Sequence, residues 1–161
     1  MKQYVANIYG EECCMEIERK FLVKSIPKRL EQYDSLRIEQ GYLCTEPVVR
    51  IRRQDNEYYL TYKSIGFLSR EEYNLPLDKK SYHHLIKKTD GNIISKVRYK
   101  IPLEDNLIAE LDIFSGKFES LVLIEVEFCS EEEAVCFIPP DWFGEDVTYQ
   151  PEYQNNYLST I

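Results

Sequence analysis

The stretch Met15-Glu16-Ile17-Glu18-Arg19-Lys20-Phe21-Leu22-Val23 decides how the rest of the chain reads. As a β-strand, whose side chains alternate between faces, it puts Glu16, Glu18 and Lys20 on one side. Ile17 and Phe21 point the other way, with Arg19 the one polar interruption there. Two carboxylates and an ammonium make an odd face to bury and a useful one for holding a metal-bound polyanion.

The same polarity recurs downstream. Strands are expected over 36–43, 48–54, 58–64, 68–75, 93–101, 107–114 and 121–129, with Pro76 and Pro102 closing two of them. Sorted by parity, Arg50 and Arg52 share a side opposite Val49 and Ile51. Lys63 lies with Thr61, and Arg70, Glu72 and Asn74 oppose Tyr73 and Leu75. Lys96, Arg98 and Lys100 oppose Val97, Tyr99 and Ile101. Glu110 and Asp112 oppose Leu111 and Ile113, and Glu125 and Glu127 oppose Ile124, Val126 and Phe128. Three or four helices are expected between and after the strands. One is opened by Ser25-Ile26-Pro27, with Ile26, Leu30 and Tyr33 as its apolar stripe. One starts at Asp78, and one follows a capping box of Ser130 and Glu133. A short terminal helix is expected within 151–158.

Alternation alone describes any antiparallel sheet with one wetted face. Two features argue for more. The polar positions are nearly all charged, and the signs segregate by strand: acidic on the first and the last two, basic between. Eight short-turned antiparallel strands can also close into a barrel with room for a small ligand. Closure would bring Glu16, Glu18, Glu125 and Glu127 together, with Asp112 one strand away. Such carboxylates repel unless a hard divalent cation joins them, and an all-oxygen set suits Mg²⁺ or Mn²⁺. Lys20, Arg50, Arg52, Lys63, Arg70, Lys96 and Arg98 would need an anion, and that many cations suit a triphosphate. The expected fold is α+β: an eight-stranded antiparallel β-barrel, a tunnel with a charged interior, flanked by helices on its apolar outside.

Composition bounds this reading. The chain has 161 residues, 43% of them hydrophobic and 30% charged, as in one ordinary domain. With 28 acidic against 20 basic residues its net charge of −8 argues against nucleic-acid partners. Five cysteines, with Cys13 and Cys14 adjacent and no C-x-x-C, fit a reducing cytoplasm better than a disulfide framework or a zinc site. There is no apolar run of membrane-spanning length and no signal-peptide pattern near the start. Residues 1–14 read as an extension, with Met15 a possible alternative start, and 15–161 as the domain. His83-His84, adjacent on a helix, cannot face one metal, and no P-loop or Ser-His-Asp arrangement is present.

Glu16-Ile17-Glu18-Arg19-Lys20 resembles the E-x-E-x-K signature of the CYTH superfamily, the triphosphate tunnel metalloenzymes. Gln40-Gly41-Tyr42-Leu43, Arg50-x-Arg52, Leu60-Thr61-Tyr62-Lys63, Glu72, Lys96-x-Arg98, Glu110-x-Asp112 and Glu125-x-Glu127 follow in that family's order. The segment Pro151-Glu152-Tyr153-Gln154-Asn155-Asn156-Tyr157-Leu158 is similar to the ending of its small bacterial members. The resemblance implies metal-dependent triphosphate chemistry, with hydrolysis of inorganic triphosphate as the expected activity of a monomer or homodimer. Lys20, Arg50, Arg52, Lys63, Lys96 and Arg98 are then expected to grip the phosphates. Glu16, Glu18, Asp112, Glu125 and Glu127 would hold metal, with Glu18, Glu127, Lys96 and Arg98 nearest the chemistry. Tyr42, Arg70, Glu72 and Glu110 would support them. A CYTH-type adenylyl cyclase, a thiamine or nucleoside triphosphatase, and a non-enzymatic polyphosphate binder are the alternatives.

Overall fold

The computed structural model describes residues 5–6, 12–13 and 15–161, with side chains from 15 onward. Two two-residue strands, β1 (Val5–Ala6) and β2 (Glu12–Cys13), pair with each other. The rest of the predicted extension lies outside the described residues.

The barrel begins with β3 (Met15–Val23), bounded as the sequence predicts. It continues through β4 (Asp34–Thr45), β5 (Val48–Gln54), β6 (Glu57–Lys63), β7 (Ser69–Leu77), β8 (Asp90–Pro102), β9 (Ile108–Phe114) and β10 (Val122–Glu127). The ladder order is β10-β9-β8-β4-β5-β6-β7-β3, and β10 pairs back onto β3, so the eight strands close on themselves. Leu123 to Glu127 face Leu22 to Glu18 across that closing seam. A ninth strand, β11 (Phe143–Asp146), which the sequence reading missed, lies outside the circuit against Phe21 and Val23.

Polarity is inverted relative to an ordinary barrel. The outer faces of β3, β9 and β10 present Ile17, Phe21, Leu111, Ile124 and Val126 to a core completed by Ala134, Phe137 and Phe143. Ala134 belongs to the helix α2 (Glu131–Cys136), held at its start by Ser130, whose Oγ accepts from the Glu133 N–H at 3.1 Å. Glu133 reaches back to the Cys129 N–H at 2.8 Å, one residue short of the usual box partner. Arg19, the polar interruption on this face, is a clamp. Its guanidinium lies 4.9 Å from the centre of the Phe21 ring. It donates to the carbonyls of Ala134 (2.8 Å) and Phe137 (3.1 Å) and pairs with Asp146 at 2.6 Å. On the far side α1 (Lys79–Leu85), capped by Asp78, packs Tyr82 over β5 and β6.

Two local expectations fail. No α-helix follows Ser25; there is only one 3-10 turn at Leu30–Gln32, preceded by Arg29 at φ 60. A left-handed residue ends any helix, and the segment is only long enough to carry Leu30 and Tyr33 onto the outer core. Pro76 does not stop β7, which runs to Leu77. The Glu71 carbonyl accepts from the Ser64 N–H, so alternate residues of β7 turn their bonds toward β6. Pro76 falls on the other set, where its missing N–H costs no bond to β6.

Candidate active site

The inward faces surround a cavity of about 680 Å³ lined by Glu16, Glu18, Lys20, Arg50, Arg52, Lys63, Arg70, Glu72, Arg98, Glu110, Glu125 and Glu127. One end of the barrel is filled. Tyr42, Val48, Ile94, Phe114 and Leu123 pack there with Phe118, Val147 and Leu158. The lumen is therefore a cup, open toward Gln54, Tyr59, Lys100 and Glu110.

Burying so many charges is tolerable only in pairs, and pairing dominates the wall. Lys63 Nζ contacts Glu16 at 2.6 Å and Glu72 at 2.8 Å. Arg70 reaches Glu16 at 3.2 Å and Glu18 at 3.4 Å. Lys20 Nζ lies between Glu125 (2.8 Å) and Glu18 (3.7 Å). Arg98 binds Asp112 through two nitrogens, both at 2.7 Å, and also contacts Glu110 and Glu125. Lys96 contacts Asp112 and lies 5.2 Å from the centre of the Phe114 ring.

The closing seam sets Glu127 opposite Glu18 and Glu125 opposite Lys20, so the expected acidic cluster has cations set among its members. Parity gives a residue's face but not its height in a sheared barrel. Closure interleaves cations with Glu125, Glu18 and Glu16, and Glu127 stands exposed at the rim. Among the described residues no three carboxylate, His or Cys side chains already converge as a metal site. The donors nonetheless suit a hard divalent cation: all are carboxylates, and Lys20 already stands as a positive charge between two of them. Asp112, fully buried, has both oxygens engaged by Lys96 and Arg98 behind the cavity wall.

Titration follows the same logic. Burial, reinforced by Glu18 and Glu72, pushes Glu16 up to about 7 against the pull of Lys63 and Arg70. Burial also raises Glu125, but Lys20 and Arg98 outweigh it and hold that carboxyl well below its usual range. For Lys20 burial is more than offset by Glu125 and Glu18, so its ammonium is favoured.

Two cations stand apart. Among the described residues neither Arg50 nor Arg52 has a carboxylate within ion-pair distance. Arg50 Nη2 donates to the Thr61 hydroxyl at 3.3 Å, and its Nε is buried without a partner. Arg52 donates from Nε and Nη2 to the Gln40 carboxamide oxygen at 3.0 and 2.9 Å. Burial, with Arg50 and Arg98 nearby, lowers Arg52 to about 10. Among the described residues a buried and a half-buried guanidinium are thus held by neutral oxygens alone, an arrangement that suits an anion.

Several neutral lumen residues escaped the parity analysis, which weighed charges. Gln40, 0% exposed, orients Arg52 and donates to the Tyr42 hydroxyl at 2.7 Å. Gln154 accepts from Lys20 Nζ at 3.3 Å, and Asn155 and Asn156 line the same cavity. Their signal was the terminal segment already noted for its resemblance.

Comparison with known proteins agrees with this geometry. A model of the CYTH domain matches residues 15–137. The chain is 44% identical over 147 residues to an inorganic triphosphatase of Nitrosomonas europaea, covering 89% of this chain and 96% of that one. It is 36% identical over 154 residues to an inorganic triphosphatase of Acetivibrio thermocellus, covering 89% and 92%. A crystal structure of an inorganic triphosphatase superposes with a TM-score of 0.68 at 40% identity, over 91% of this chain and 95% of the other. A closed barrel with an ion-paired lumen, the ordered charged motifs and these matches together place the chain in the CYTH domain family.

Proposed function

We propose that this chain hydrolyses inorganic triphosphate to pyrophosphate and orthophosphate with the help of Mg²⁺ or Mn²⁺. The observation that carries this reading is the lumen pair of Arg50, buried, and Arg52, half-buried, which among the described residues have neutral partners only. The names of the relatives supply the substrate.

Arg50 and Arg52 fork onto phosphate oxygens, with Lys20, Lys63 and Arg98 adding charge along the chain. Asp112 holds Arg98 in place at the cavity wall, where it meets the charge developing on the departing pyrophosphate, with the charge of Lys96 close behind it. Glu16, Glu18, Glu125 and Glu127 would hold the divalent cation, which when bound supplies Lewis acidity and neutralises phosphate charge. Glu18 and Glu127 orient water for in-line attack on a terminal phosphorus. A new P–O bond forms from water, the bridging P–O bond breaks, and the proton leaves through a lumen carboxylate to solvent. Arg70 positions Glu16 and Glu18. The free thiols of Cys44, Cys129 and Cys136 suit the reducing cytoplasm, and no described helix is long and apolar enough to cross a membrane.

The test is phosphate release from tripolyphosphate, ATP and thiamine triphosphate in Mg²⁺, Mn²⁺ or EDTA. Release from tripolyphosphate should be fastest, should stop in EDTA, and should drop at least a hundredfold in Glu18→Gln, on the scale of losing a transition-state interaction. No metal-dependent release from any of the three would overturn the proposal. Cyclic AMP formation from ATP would redirect it to the cyclase reading.

A further inference from the structure

The Gln40 carboxamide can be turned only one way. Arg52 has donors and no acceptor, so the atom that meets its Nε and Nη2 at 3.0 and 2.9 Å must be the carbonyl oxygen. Turned over, the group would set its own N–H bonds against two guanidinium N–H bonds. The amide nitrogen of Gln40 therefore faces Tyr42, and the Tyr42 hydroxyl oxygen accepts from it at 2.7 Å. A hydroxyl that accepts this bond still has its own proton to donate. Among the described residues nothing takes that proton, because Gln40 is the only hydrogen-bond partner of the Tyr42 hydroxyl. Asn155, which also lines the cavity, leaves its Oδ1 without a partner and makes no bond to it. Tyr42 is 2% exposed and packs into the apolar plug, yet it lines the lumen.

In the β4–β5 ladder Tyr42 lies opposite Arg50, and Gln40 opposite Arg52. Side chains so opposed start about 4.5–5.5 Å apart. Arg50 brings a buried Nε with no partner. The floor of the cup thus gathers the Tyr42 O–H, the Arg50 Nε–H and the remaining Arg52 N–H bonds, and the one acceptor among these side chains that could serve them, the Gln40 oxygen, is already taken by Arg52. A water there would bring two protons of its own into a ring of donors. An ionised phosphate brings lone pairs alone. We propose that Tyr42 is a phosphate-binding residue, whose hydroxyl, turned by Gln40, donates to an oxygen of the phosphate held by Arg50 and Arg52 at the closed end of the lumen. This deepens the triphosphatase reading and rests on it for the ligand. Gln40 is then a positioning residue that fixes Arg52 through its oxygen and Tyr42 through its nitrogen. Its neutrality matters, because a glutamate in its place would accept the Tyr42 proton and neutralise Arg52.

The experiment measures the dissociation constant of tripolyphosphate by calorimetry in EDTA, where neither metal nor turnover enters. Tyr42→Phe keeps the ring in the plug and removes the hydroxyl alone. It should weaken binding about 10- to 100-fold, the scale of one hydrogen bond to a charged ligand. The same substitution in a Gln40→Leu background separates contact from support. A hydroxyl that touches phosphate still weakens binding there when it is removed, whereas one that only steadied Gln40 has nothing left to steady. If Gln40→Leu does not fold, Gln40→Glu takes its place. Its carboxylate captures the Tyr42 proton, so Tyr42→Phe should then leave affinity as it was. Unchanged affinity in Tyr42→Phe alone overturns the assignment, as does an effect that disappears in Gln40→Leu or persists in full in Gln40→Glu. A wild type that neither binds tripolyphosphate nor cleaves it with any metal defeats the functional reading itself, and the assignment falls with it.

Discussion

Lys96 shows how one side chain answers to its surroundings. It is 2% exposed, and burial lowers it to about 8 although Asp112 pulls the other way. Asp112 is shared with Arg98 and cannot neutralise both cations. The folded value lies below the unfolded one of about 10.4. The cost of carrying the charge is therefore complete below about pH 8, and stability from this group rises as pH climbs from there to about 10.4. Anion binding runs the opposite way, because the free protein loses this positive charge above about pH 8. Calorimetric titration with tripolyphosphate in EDTA should show affinity falling above that pH, by at most about tenfold per unit. Lys96→Met, similar in volume and uncharged, should bind at pH 7 as weakly as the wild type does at high pH and show no step. An unaltered pH profile in that variant would exclude Lys96 as its source.

Single elements differ in how plainly the sequence announced them. The strands β3 and β5 alternate clearly apart from Arg19 and Arg53, and their ends matched. The turn after Ser25 was misread because Ile26, Leu30 and Tyr33 fall at helical spacing, yet Ile26 is 49% exposed and only the other two pack inward. The strand β11 is short, and its ladder partner Phe21 lies far away in sequence, so no local pattern marks it. The lumen was legible as a face but not as a set of pairs. Which cation meets Glu125 depends on strand stagger, which parity does not encode. The C-terminal segment belongs with these non-local features. It docks where Gly91, at φ 68, leaves no room for a side chain: an added Cβ would stand 2.0 Å from the Ser159 carbonyl oxygen. Asn92 N–H donates to that same oxygen at 2.7 Å. Gly91→Ala should strip this contact, lower stability by about 2 kcal/mol through strain and the lost bond, and loosen Gln154 and Asn155. Chemical denaturation and the KM for tripolyphosphate should both register the change. A variant with wild-type values of both would show that the segment does not need this docking.

At the scale of the molecule, the barrel wears its apolar core outside and its charge inside, and the consequence is thermodynamic. Each buried ion pair recovers little net stability after desolvation, so the ligand-free lumen is held chiefly by the greasy layer around it, where Phe21, Leu111, Ile124 and Val126 are almost fully covered. Among the described residues Arg50 and Arg52 have no carboxylate partner, and every bond a polyanion makes to them is gained only in the folded state. Binding should therefore raise the melting temperature well beyond what a surface anion site would. At a hundredfold excess over its dissociation constant a ligand adds about 2.7 kcal/mol, and for a chain of this size each kcal/mol is worth about 2–4 °C. Tripolyphosphate in EDTA should thus raise the midpoint by about 5–10 °C, whereas chloride at matched ionic strength should add little. Arg50→Ala should lose most of that rise while keeping, or improving, the midpoint without ligand, because the unpaired cation that burial penalises is gone. If tripolyphosphate left the wild-type midpoint unmoved, the two arginines would not be the anion site that their neutral surroundings imply.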